Sequence, residues 1–246
     1  IGFVDSKSDI YNSAALISNK KLEGVHHKAL LPNYGVFDEQ RVFNKDRMPG
    51  PILFKGIKIG LMICEDMWYP DVAESLQESG AELLVVINGS PFDQNKEDER
   101  LSVAVARVVE TNLPLIYVNQ IGGQDELVFD GGSFALDSRA KLKLQSSAWK
   151  EEINHIEITN NNNGLLDLSH SVVNKISVGL ESKYSAMVLG LRDYVNKNKF
   201  KGVILGLSGG IDSTLVTTYL NEISTSKIDT FTIGFNDKSY DELDDA

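Results

Sequence analysis

Short apolar runs alternate along the chain with stretches whose apolar positions recur at helical spacing. Residues 13–18 (SAALIS), 57–63 (IKIGLMI), 82–88 (ELLVVIN), 114–120 (PLIYVNQ) and 132–137 (GSFALD) are short and rich in Val, Ile and Leu. Such runs predict buried strands. Residues 96–112 (KEDERLSVAVARVVETN) have apolar residues at helical spacing, acids in the first turn and a following Leu-Pro; they predict a helix. Residues 71–80 predict a shorter helix closed by Gly80. Strand–helix alternation of this kind predicts a layered α/β fold.

Residues 158–164 (ITNNNNG) break the rhythm and predict a loop or linker. Beyond it, 182–202 predicts a helix ending in Lys, Asn and Gly. Then 203–207 (VILGL) predicts a buried strand, the stretch from Ser208 a further helix, and 230–235 another strand. Two domains are expected, 1–165 and 166–246, without internal repeats.

Composition narrows the function classes. The net charge of -11 and pI near 4.8 argue against a general nucleic-acid or membrane-surface binder. No apolar stretch approaches the roughly 20 residues of a spanning helix. A single cysteine, Cys64, excludes an intramolecular disulfide and thiol-rich zinc sites, and a reducing cytoplasmic setting is expected. The opening IGFVDSKSDI has no initiator Met, basic region or signal-like core, and predicts a piece entered in mid-domain.

Cys64 closes a buried strand, where α/β folds place reactive groups. On its own it reads either as a small core residue or as a nucleophile. A thiol nucleophile needs a base and an electropositive neighbour. His26 and His27 are adjacent in sequence, His155 and His170 lie in or near the linker, and none is an evident partner.

Lys28-x-x-Leu31-Pro32-Asn33-Tyr34-Gly35-Val36-Phe37-Asp38-Glu39, then Cys64-Glu65-Asp66-Met67-Trp68, then Asn88-Gly89-Ser90-Pro91 resemble the nitrilase superfamily. More narrowly, they resemble the glutaminase domain of glutamine-dependent NAD synthetases, as does the stretch from Asp98 to Phe134. The resemblance implies a nitrilase-like α-β-β-α sandwich and a Glu-Lys-Cys triad. Cys64 is then the nucleophile toward the side-chain amide of glutamine, with Lys28 and the Glu65 N–H stabilising the oxyanion. Tyr34, Ser90 and Lys96 match glutamine-binding positions, and Glu39 matches a supporting acid. The family's general base is a glutamate well upstream of the lysine. Glu23 is the only glutamate before Lys28, sits in what reads as a turn, and is not given that role. A fragment lacking its first strand and helix is therefore expected.

The stretch Val203–Val216 (VILGLSGGIDSTLV) reads as strand, glycine-rich turn and helix start. It is neither a dinucleotide fingerprint nor a P-loop, since no lysine follows the glycines. Gly209 and Gly210 let backbone N–H groups approach an anion at a helix N-terminus. Ser208 and Ser213 offer hydroxyls, and Asp212 can reach phosphate-held Mg²⁺. The motif resembles the PP-loop of ATP pyrophosphatases, which implies a parallel α/β domain that binds ATP through Gly206, Leu207, Ser208, Gly209, Gly210, Ile211, Asp212 and Ser213. Beyond the loop, TFTIGFNDKSYDE is more similar to asparagine synthetases.

Together these resemblances imply an ATP-dependent carbon–nitrogen ligase whose small-molecule substrates are glutamine, ATP and deamido-NAD. A protected route for ammonia implies a homo-oligomer. Two alternatives stay open: an amidotransferase whose acceptor is aspartate, and a catalytically inactive fragment.

Overall fold

The computed structural model describes residues 1–6, 9–160, 165–203 and 210–223. Strands β1 (Gly2–Asp5), β2 (Tyr11–Ser18) and β3 (Lys21–His27) form an antiparallel sheet. A second sheet is built from β4 (Ile52–Phe54), β5 (Ile57–Ile63), β6 (Leu83–Asn88) and β7 (Leu115–Asn119). The hairpin β8 (Ile121–Gln124) and β9 (Leu127–Asp130) follows, and then β10 (Phe134–Leu136) and β11 (Leu142–Gln145) extend that second sheet. Its order is β11-β10-β7-β6-β5-β4, with β5, β6 and β7 parallel. The crossovers are α1 (Pro70–Glu78) and α2 (Lys96–Thr111).

The central strands are apolar on both faces, as parallel strands covered on both sides must be. Successive side chains point to opposite faces. Met62, Leu84 and Val86 therefore pack with Val72, Leu76 and Val108 of the helices, while Leu61 and Ile63 pack toward Ala14 and Leu16 of β2. The result is a helix layer, a six-stranded sheet and a three-stranded sheet. Gly60 permits the close fit of α1, since a Cβ there would meet Leu84 Cδ2 at 3.0 Å and Leu76 Cδ1 at 3.1 Å.

The sequence expectations hold for the buried strands and for both crossover helices. Gly80 follows α1 with φ +86°, and Asn112 caps α2 in the left-handed region at φ +56°. Three expectations need correction. Glu23 lies in β3 rather than in a turn, and it is exposed. Ile158–Asn160, expected as loop, is strand β12, paired with β13 (Leu166–Leu168) because Leu166 and Leu168 bury there. The next helix, α3 (Leu180–Lys197), starts earlier and ends earlier than its pattern implied. Helix α4 (Ile211–Ile223) follows Gly210. Most of the strand expected at 203–207, and all of that at 230–235, lies outside the described residues.

Candidate active site

The parallel strands β5, β6 and β7 end on one edge of their sheet, and the carboxyl ends of such strands open a crevice. Cys64 follows β5, Asn88 ends β6 with Gly89 after it, and Gln120 follows β7. With Lys28 and Glu39 they line a cavity of about 470 Å³. The structure thus joins three residues that are far apart in sequence: the candidate nucleophile, the candidate oxyanion lysine and the supporting acid.

Cys64 has φ +48°, in the left-handed region that costs a non-glycine residue about 1–2 kcal/mol. The sharp turn carries the chain from β5 into the helical turn Cys64–Met67, so Cys64 lines the cavity while still packing against the cluster of Ala14, Leu61 and Ile63. Burial pushes the thiol pKa up to about 11; Lys28 pulls against this, while Glu65, Glu39 and Asp66 add to the rise. The thiol is therefore protonated near neutral pH and needs a proton acceptor before it can attack.

Lys28 directly follows β3 and is 1% exposed. Its Nζ donates to both carboxylate oxygens of Glu39, at 2.7 and 2.9 Å. An ammonium has three N–H donors, so one remains for the cavity. Asn12 Nδ2 also approaches Glu39 Oε2, at 3.4 Å.

Tyr34 and Glu65 meet on the wall of a neighbouring cavity of about 660 Å³. Tyr34 Oη donates to Glu65 Oε2 at 2.8 Å, and burial of the hydroxyl together with that bond raises the phenol pKa. Lys96 opens α2, pairs with Glu99 at 2.9 Å and lies 4.1 Å over the Trp68 ring.

Ser90 is buried, and its polar groups are largely engaged. Its N–H donates to Asn119 Oδ1 at 3.0 Å, its hydroxyl accepts from Arg100 Nε at 3.0 Å, and its carbonyl accepts from Arg100 Nη2 at 2.9 Å. Arg100 Nη1 donates to both oxygens of Asp130, at 2.9 and 2.8 Å. Sequence reasoning missed this Arg100–Asp130–Asn119 network. One signal was available: Arg100 sits on the same stripe of α2 as Ala104 and Val108, where a cation needs a buried partner. Asn88 and Gln120 were also missed, although each is a polar residue at the end of an apolar run.

In the second segment, Gly206, Leu207, Ser208 and Gly209 lie outside the described residues. Gly210 precedes α4, and Ile211, Asp212 and Ser213 form its first turn, with Ser213 Oγ donating to the Gly210 carbonyl at 3.2 Å. No cluster of metal-ligating side chains occurs among the described residues. Nor is any helix there long and apolar enough to cross a membrane.

Residues 1–163 match the family model of the carbon-nitrogen hydrolases. The chain belongs to the carbon-nitrogen hydrolase family. Residues 195–246 match the asparagine synthase family, in line with the likeness of the tail. Over 193 residues this hydrolase-family chain is 44% identical to the glutamine-dependent NAD(+) synthetase of Rhodobacter capsulatus, covering 78% of itself and 34% of that protein. It is 34% identical over 242 residues to the one from Acinetobacter baylyi, covering 96% and 43%. The chain thus spans less than half the length of these curated relatives. The solved glutamine-dependent NAD+ synthetase of Acinetobacter baumannii, in complex with ADP, matches with a TM-score of 0.86 at 34% identity, over 94% of this chain and 44% of that one. A Helicobacter pylori carbon-nitrogen hydrolase shares the fold, with a TM-score of 0.57 at 22% identity, over 82% of this chain and 71% of that one.

Proposed function

We propose that this chain carries the glutamine-amidase site of a glutamine-dependent NAD synthetase, with residues 1–165 as the amidase domain and 166–246 as the start of the synthetase domain. The observation that supports this most is one cavity lined by Cys64 and by the ion pair of buried Lys28 with partly buried Glu39. The relatives' identities over most of the chain point the same way.

In this reading the glutamine side-chain amide enters the cavity and Cys64 Sγ attacks its carbonyl carbon. The carbonyl pair moves onto oxygen, where the spare N–H of Lys28 and the backbone N–H of Glu65 hold it. Such preorganised donors are worth about 10²–10³ each in rate. Glu39 accepts the thiol proton as Sγ attacks, and Lys28, loosened from the neutralised carboxyl, turns toward the oxyanion. Glu39 is the acid lining this cavity. The proton passes to the departing nitrogen, the C–N bond breaks and ammonia leaves. Water then hydrolyses the thioester, giving glutamate and the free thiol. Tyr34 and Lys96 bind the amino-acid end of glutamine, and Ser90 anchors the chain beside the cavity-lining Gly89.

The glycine-rich stretch 206–213 takes ATP at the N-terminus of α4. A single carboxylate, Asp212, suits Mg²⁺ held mainly by phosphate oxygens and water; the ion would neutralise phosphate charge while pyrophosphate departs. Ammonia then displaces AMP from an adenylated acceptor, deamido-NAD. The asparagine synthase match of residues 195–246 favours a second acceptor, aspartate. Pyrophosphate release triggered by deamido-NAD but not by aspartate supports the first reading, and the reverse overturns it.

The amidase is tested by ammonia release from glutamine, asparagine and acetamide. Turnover of glutamine far above the other two, abolished in Cys64→Ala, is expected. Equal turnover of acetamide would contradict a glutamine site.

A further inference from the structure

We infer that Asp66 is a positioning residue that sets Lys28 and Cys64 against each other, through one carboxylate bonded on both sides of each. Its geometry stands alone, while its effect on turnover rests on the glutamine-amidase reading. Asp66 is fully buried, at 0% exposure. Its Oδ1 accepts the N–H of Ala29 at 3.0 Å and of Leu30 at 2.9 Å. Its Oδ2 accepts the N–H of Ile63 at 3.0 Å and meets His26 Nε2 at 3.1 Å.

These partners bracket the two residues that matter. His26 and Ala29 lie on either side of Lys28, and Ile63 and Asp66 on either side of Cys64. The end of β3 belongs to the three-stranded sheet and the end of β5 to the six-stranded sheet. One anion therefore ties two sheets together at the point where their residues share a cavity. The three backbone groups are donors, and against a carboxylate His26 Nε2 carries its proton and donates as well. Charge-assisted bonds of this kind are short and directional. They hold the left-handed turn at Cys64, which would otherwise relax. A displacement of about 1 Å at a reacting pair can cost about 100-fold in rate.

Asparagine cannot replace this group. Its amide nitrogen would face one pair of donors, losing two of the four bonds. His26→Leu removes a single bond, and His26→Gln returns an N–H to that place. The charged groups acting on the thiol are Lys28, Glu65, Glu39 and Asp66 itself. Removing the Asp66 charge alone would make the thiol easier to ionise, whereas moving Lys28 away would make it harder.

The test uses the whole chain and two readouts: ammonia release, and iodoacetamide alkylation of Cys64 followed by mass across pH. Asp66→Asn is expected to lower kcat roughly 100-fold, and His26→Leu about 10-fold, the value of one hydrogen bond to a charged group. KM should change little in either, and His26→Gln should recover most of the kcat lost in His26→Leu. In both damaged variants the alkylation midpoint should move to higher pH. Folded variants with wild-type kcat, or with a midpoint that stays or moves down, would overturn the inference. If Asp66→Asn does not fold, His26→Leu and His26→Gln decide. If the wild type releases no ammonia, the glutamine-amidase reading fails, and the alkylation midpoint still tests the positioning role.

Discussion

Lys28 and Arg100 are both buried cations, and each donates two hydrogen bonds to one carboxylate, Glu39 or Asp130. Around Arg100 the remaining donors meet the carbonyls of Ser90 and Pro91 and the Ser90 hydroxyl. Its planar fork is saturated and has one geometry. Around Lys28 the pair opens onto the cavity that Cys64 also lines, and the ammonium keeps a donor that can turn. A guanidinium fixes architecture, while an ammonium on a flexible stem can follow charge as it develops. The two pairs separate by what their cations have left to give, since both cations are deeply buried.

Breaking the saturated pair should have the largest effect. Arg100→Met leaves Asp130 buried without its partner, at a cost of about 3–5 kcal/mol of stability; urea unfolding measures it. Replacing both residues, as Arg100→Met with Asp130→Leu, should recover much of that loss. If Arg100→Met instead leaves stability intact and removes only activity, the contrast with Lys28 collapses.

Lys28→Met should act the other way. Turnover of glutamine is expected to fall about 10²–10³-fold, the value of one oxyanion donor, with the protein still folded. Unchanged kcat in the folded variant would remove Lys28 from the chemistry.

The thiol sharpens the contrast through pH. Because its folded pKa is raised to about 11, the folded chain binds more protons than the unfolded one as the unfolded thiol ionises. Stability should therefore fall as pH rises toward about 11, and alkylation of Cys64 should climb over the same range. Without Lys28, which pulls the pKa down, the climb should begin at still higher pH.

The smallest effect is expected at Lys96. Its pair with Glu99 is partly exposed, and exposed pairs contribute about 0–1 kcal/mol. Lys96→Ala should raise KM for glutamine by up to roughly 5-fold at constant kcat, the mark of lost uniform binding. A fall in kcat with unchanged KM would speak for a role in the reaction itself.

Much of this molecule was legible from local pattern. The runs that became β5, β6 and β7 are apolar because they are covered on both faces, and α2 carries its start and stop signals within its own residues. Cys64 could be placed at a strand end for the same reason. Strands β1 and β3 escaped because both are largely exposed, and β3 carries Lys, Glu and His. The hairpin of β8 and β9 escaped because Gly122 and Gly123 weaken the strand pattern. In the buried networks, the stripe of α2 marked Arg100 as buried, but no partner was legible. Arg100 meets Asp130 and Asp66 meets Ala29 across 30 and 37 residues of chain, so their partners are set by tertiary folding. Asp66 could be quoted as part of a motif, but not as an anchor.

The most direct measurement is the intact mass of the purified chain after treatment with 6-diazo-5-oxo-L-norleucine, with and without excess glutamine. A single adduct on Cys64, suppressed by glutamine and absent in Cys64→Ala, is expected from a cavity that recognises glutamine beside its nucleophile. Labelling that glutamine does not suppress, or no labelling in a folded chain, would contradict it.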